Sequence, residues 1–152
     1  MDFTQTTKNM KPKLLLRIAS VLILFHAIGH SFGHATWKQS ADLTKQEVIK
    51  QMTENKFPFM GTVRSMTEYY DGFGYIITVV LLMIASLLWF ASNATAQNAE
   101  LARKFIISLS VSLLATGILE LIYFFPFAAS LSLIASVLGF YSIILLNKQK
   151  NA

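Results

Sequence analysis

The chain has no cysteine. Disulfides, thiolate metal sites and thiol redox chemistry are therefore excluded. Charge is scarce as well: Asp, Glu, Lys and Arg make up 14% of the 152 residues, where a soluble domain carries about 25%. Neither an internal repeat nor a low-complexity tract is present. The inverted repeat that alternating-access transporters are built on is missing too. The formal net charge of +5 is spread over chain ends and loops rather than gathered into a groove-sized patch, so nucleic acid is not an expected partner.

What is abundant is apolar side chain, 54% of the residues, and it comes in runs. A membrane-crossing helix needs about 20 mostly apolar residues. Four segments qualify, at about 14–35, 73–91, 105–125 and 127–146. The expected fold is all-α: one integral membrane domain over 1–152, a four-transmembrane-helix bundle with the lipid bilayer as its solvent. Pro126 separates the last two spans by a very short turn. The basic start of the first span (Lys8, Lys11, Lys13, Arg17) also suits a cleaved signal peptide. The length of the segment and its three histidines favour a retained helix.

Lys8, Lys11, Lys13 and Arg17 precede or open span one, Arg103 and Lys104 lie between spans two and three, and Lys148 and Lys150 close the chain. With four spans all three groups share one side, and that side is cytoplasmic by the positive-inside rule. Both termini are then cytoplasmic. The 36–71 loop lies outside, with Lys38, Lys45, Lys50, Lys56 and Arg64 balanced by Asp42, Glu47, Glu54, Glu68 and Asp71. Trp37, Tyr69 and Tyr70 fit an outer aromatic belt; Trp89 and Tyr141 fit an inner one. Within the loop, Thr44-Lys45-Gln46-Glu47 reads as a capping box that opens a short helix to about Thr53. Pro58 and Gly61 follow it, and Phe57, Phe59 and Met60 are apolar enough to rest on the membrane or cap the bundle.

Ionisable groups inside a bilayer are costly and usually functional. His26, His30 and His34 recur at i, i+4, i+8 and line one face of span one, with Gly29 and Gly33 beside them. These glycines form a small-xxx-small pattern that admits a partner helix, including one from a second copy in a homo-oligomer. Ser108, Ser112, Thr116 and Glu120 recur every fourth residue in span three, with Tyr123 one turn on and Gly117 as a close-approach point. By rise per residue His30 and Glu120 lie at similar depth below their helix ends, which predicts that they pair. Arg64, Glu68, Asp71 and Tyr123 are the candidate mouth of a polar site in the outer half of the bundle.

Three readings of this set stay open. His26, His30, His34 and Glu120 supply nitrogen and oxygen ligands suited to divalent zinc, iron, copper or manganese. The same groups suit a proton relay or a pocket for a small polar ligand, with Glu120 as candidate acid or base. Alternatively they hydrogen-bond across helices for assembly. A haem held between two histidines is disfavoured, since all three stand on one helix. Function divides accordingly between a metal-dependent or redox enzyme acting on a lipid-soluble substrate, a non-catalytic ion, proton or ligand binder or transporter, and an accessory subunit. The serines of span three, and Ser132, Ser136 and Gly139 of span four, read as packing residues.

His26, Gly29, His30, Gly33 and His34, taken with Arg64 and the Gly72-Phe73-Gly74 turn, resemble small bacterial four-helix membrane proteins of the DoxX-like kind. That resemblance implies a multi-pass protein of the bacterial inner membrane, and such proteins are linked to quinone and sulfur-compound oxidation. Sterol isomerase-like four-helix proteins, which also place histidine and carboxylates in a bundle pocket, are similar in architecture.

Overall fold

The computed structural model describes the backbone of residues 3–150 and the side chains of residues 11–148, so the side chains of Lys8 and Lys150 lie outside the described set. In chain order the elements are α1 (Phe3–Thr36), α2 (Leu43–Glu54), β1 (Lys56–Phe59), β2 (Thr62–Ser65), α3 (Met66–Gln97), α4 (Ala99–Tyr123) and α5 (Pro126–Lys150). α1, α3, α4 and α5 are each long and apolar enough to cross a membrane, and α2 lies between the first two of these. α1, α3 and α5 run past the apolar segments that announce them at both ends, whereas α4 begins before its segment and stops at Tyr123, two residues short of it, because hydropathy marks the span and not the hydrogen-bonded ends. Pro126 stands at the first position of α5, where its missing N–H costs nothing.

Two compact units make up the chain: Met1–His26 with Leu81–Ala152, and Ala27–Val80. The first takes part of α1, part of α3, and all of α4 and α5. Its buried seam includes Leu16, Ala19 and Ile23 of α1, Leu81 and Leu88 of α3, Ile106 and Leu113 of α4, and Ala129 and Ala135 of α5. Large apolar residues such as Leu24, Phe90, Val111 and Val137 face outward, as a lipid solvent requires.

Lipid is as apolar as leucine, so helices in it associate through close packing and hydrogen bonds rather than hydrophobic burial. α4 and α5 meet this demand with small residues. A Cβ on Gly139 would collide with the Ser110 hydroxyl, and one on Gly117 would press into Leu133. Ser136 Oγ donates to the Ser110 carbonyl at 2.7 Å, fully buried. Ser20 Oγ of α1 donates to the Ala85 carbonyl of α3, also at 2.7 Å. The expected polar stripe of α4 is corrected here. Ser108 and Ser112 are exposed, and the inward residues are Ile106, Ser110, Leu113 and Gly117, a 3.5-residue repeat that suits helix pairing better than a strict spacing of four.

The second unit holds the rest of α1 and α3, with α2 and a two-stranded antiparallel hairpin between them. α2 starts two residues before the helix expected from a Thr44 cap, and its cap is Asp42. The Asp42 carboxylate accepts from the Thr44 N–H at 2.8 Å and the Lys45 N–H at 3.3 Å. A capping box does occur, but at the start of α3. Ser65 N–H donates to Glu68 Oε2 at 2.8 Å, and Glu68 N–H donates to Ser65 Oγ at 3.2 Å.

The hairpin was not expected from the sequence. It pairs Lys56 with Ser65 through Phe59 with Thr62 and turns at Met60 (φ 46°) and Gly61 (φ 83°). Phe57 and Phe59, on one face of β1, pack on Tyr69 at ring separations of 5.9 and 6.4 Å. Met60 stays exposed.

Candidate functional site: a buried histidine–glutamate–serine cluster

In the first unit α1, α4 and α5 each bring one polar side chain to the same buried point. His26 Nε2 lies 3.3 Å from Glu120 Oε1. The other ring nitrogen, Nδ1, lies 3.3 Å from Ser132 Oγ. His26 is 6% exposed and Ser132 0%, and the Glu120 side chain is 13% exposed. These are groups that pay heavily for losing water unless they satisfy one another.

The sequence places them there for local reasons. His26 follows the buried Ile23 by three residues, one turn along the same face of α1. Glu120 follows Leu113 and Gly117 on the inward face of α4, and Ser132 sits between Ala129 and Ala135 on the small-residue face of α5. Beside the cluster the rings of Phe25 and Phe127 meet edge to face at 6.4 Å.

Glu120 therefore pairs with His26, where the sequence predicts His30. Counting depth from helix ends assumed that α1 and α4 end level with one another. α4 stops three residues after Glu120, whereas α1 continues ten residues past His26.

His30 and His34 belong to the second unit. His30 Nε2–H donates to the Gly74 carbonyl at 3.1 Å. The His34 ring lies parallel to that of His30 at 6.2 Å and edge-on to Tyr75 at 4.9 Å. The close-approach glycine is Gly74 of α3, whose Cβ, if it had one, would overlap the His34 ring. Gly29 and Gly33, expected to admit a helix, have nothing within 4 Å of where a Cβ would stand. Ser31 Oγ donates to the Ala27 carbonyl at 2.7 Å and lies 3.3 Å from Thr78 Oγ1.

Of the expected mouth residues, Asp71 accepts from Trp37 Nε1 at 2.9 Å and from Lys38 Nζ at 2.6 Å, which ties the start of the loop to α3. Arg64 and Glu68 pair with each other at 3.5 Å on an exposed surface. Tyr123 is 73% exposed. No three His, Asp or Glu side chains among the described residues gather in a metal-holding arrangement.

Sequence reasoning took Ser132 for a packing residue. Its signal was present: a hydroxyl four residues before the interface serine Ser136, on the last span, two turns from the proline turn. Gly74 was noticed only as part of a motif, and its steric role under a ring needs the α1–α3 geometry.

Comparison with protein-family models, curated proteins and solved structures finds no match.

Proposed function

We propose that this chain is a four-span protein of the bacterial inner membrane, with both termini cytoplasmic, whose His26–Glu120 pair is a proton-exchanging site enclosed by the bundle. The observation that carries the reading is the contact of both ring nitrogens of one buried histidine: a carboxylate on one side, a hydroxyl on the other. With one exchangeable proton the pair is net neutral, as imidazolium–carboxylate or as imidazole–carboxylic acid. Without it, the pair carries one net negative charge in a medium that penalises it. Ser132 fits both states without rearrangement. A hydroxyl accepts from an imidazolium Nδ1–H and donates to a neutral Nδ1.

This supports the proton-binding reading over serine nucleophilic catalysis, because Ser132 is wholly enclosed and no substrate atom reaches it. The resemblance to DoxX-like proteins supports the same membrane.

The test follows the ring nitrogens of labelled histidine by magnetic resonance in detergent across pH. His26 should change protonation state or tautomer with pH. Glu120→Gln should move that transition, and Ser132→Ala should alter the Nδ1 environment. In thermal unfolding, a cycle of His26→Ala with Glu120→Gln should show coupling of at least about 0.5 kcal/mol. Additive stabilities together with a His26 resonance indifferent to Glu120→Gln would overturn the proposal. Saturable zinc, iron, copper or manganese binding that both substitutions abolish would replace it with the metal reading.

A further inference from the structure

Arg17 of α1 lies about three residues, roughly 4.5 Å at 1.5 Å per residue, inside the start of the apolar segment that opens near Leu14. Its guanidinium stacks over the Trp89 ring at 4.7 Å. Of its five N–H donors, one meets an acceptor among the described residues, and that bond, from Nη2 to Asn93 Oδ1, is long at 3.5 Å. Nε is buried with no acceptor among the described residues. No carboxylate among the described residues pairs with it. The other basic residues in ion pairs have found theirs: Lys38 with Asp71, Arg64 with Glu68, Lys104 with Glu100. A permanent cation thus stands half-buried with most of its donors unused. Beside it runs an open apolar depression lined by Ile18, Val21, Leu22 and Trp89.

We infer that Arg17 and this depression bind an anionic phospholipid, the guanidinium holding the headgroup phosphate and the groove holding the first part of an acyl chain. The planar fork of arginine matches two phosphate oxygens at once. Stacking on Trp89 fixes the fork's plane and leaves its edge for the anion. At this depth in a bilayer the available anions are lipid phosphates, and a groove with an almost wholly apolar lining suits a chain rather than a soluble ion. The charge comes from the protein's half of the complex and the shape from Ile18, Val21 and Leu22, so both parts of one lipid are specified. The inference rests on the four-span placement above, which reporter fusions after Ala96 and at the C-terminus, both expected to read cytoplasmic, test separately.

The experiment uses the full chain in neutral detergent, with Trp37→Phe so that Trp89 is the sole tryptophan. It is titrated with short-chain phosphatidylglycerol, short-chain phosphatidylcholine and inorganic phosphate. Phosphatidylglycerol should shift the Trp89 emission, raise the melting temperature and survive on the protein in native mass spectrometry. Arg17→Gln should weaken this binding about tenfold, the scale of one lost charge-assisted hydrogen bond, and Arg17→Lys less. Val21→Phe, which fills the depression from an exposed position and leaves both the guanidinium and the single tryptophan in place, should weaken it as well and guards against a misfolded arginine variant. Equal binding of phosphatidylcholine and phosphatidylglycerol, unchanged affinity in Arg17→Gln and Val21→Phe, or inorganic phosphate matching the lipid would overturn the inference.

Discussion

Glycines divide sharply by what stands opposite them. Gly74 underlies the His34 ring, so Gly74→Ala should force ring or helix to move, at a cost of about 1–3 kcal/mol, the range for overpacking a filled site. His34→Ala should restore most of that loss. Gly29→Ala and Gly33→Ala meet open space and should leave thermal stability of the monomer unchanged or slightly improved, since alanine is the better helix former. Melting curves of the four variants in one detergent check the contrast. A Gly74→Ala protein as stable as wild type would remove the close approach of α1 and α3 at this point. If Gly29 and Gly33 do serve a second copy of the chain, their alanine variants lower the association of copies while the single-chain melting curve stays as it was. A histidine–glutamate contact was expected from the sequence between His30 and Glu120, and the one present is between His26 and Glu120, with His30 bonded to Gly74 instead. Periodicity gives the face of a helix. It does not give the level at which another helix ends.

Among the elements, those bounded by strong local chemistry were the most legible. Four apolar runs became four long helices, Pro126 opened the last of them, and the loop helix was off by two residues at its start and one at its end. The hairpin between α2 and α3 was not legible, for a physical reason. Two-residue hairpin turns favour Asn-Gly or Gly at positions of positive φ, and this one uses Met60-Gly61, so the turn carries half of its usual signature. The loop-helix cap was misjudged because two acceptors compete near Thr44. Asp42 precedes it, and a carboxylate at that position takes two N–H groups together. Asp42→Ala should lower the stability of α2 by about 1 kcal/mol, whereas Thr44→Ala should cost much less. Amide exchange of Thr44, Lys45 and Gln46 measures both, and equal protection in the two variants would return the cap to Thr44.

Across the whole molecule, several hydroxyls of the described residues are already bonded inside their own helices. Ser31, Thr36, Thr53, Ser86 and Ser108 each donate to a carbonyl four residues back. Ser92, Thr95, Ser130 and Ser142 donate to one three residues back. Those hydroxyls need no neighbouring helix when their own helix first enters lipid. Three hydroxyls of the first unit behave differently: Ser20, Ser132 and Ser136 find their partners only on another helix. Insertion and assembly are therefore expected to be separable stages, the second depending on these three small side chains together with the His26–Glu120 pair. Ser136→Ala should leave the yield of membrane-inserted chain untouched and slow or weaken the joining of α4 to α5, seen as earlier protease cleavage at the 124–125 turn. Loss of insertion itself would mean that the two stages are one.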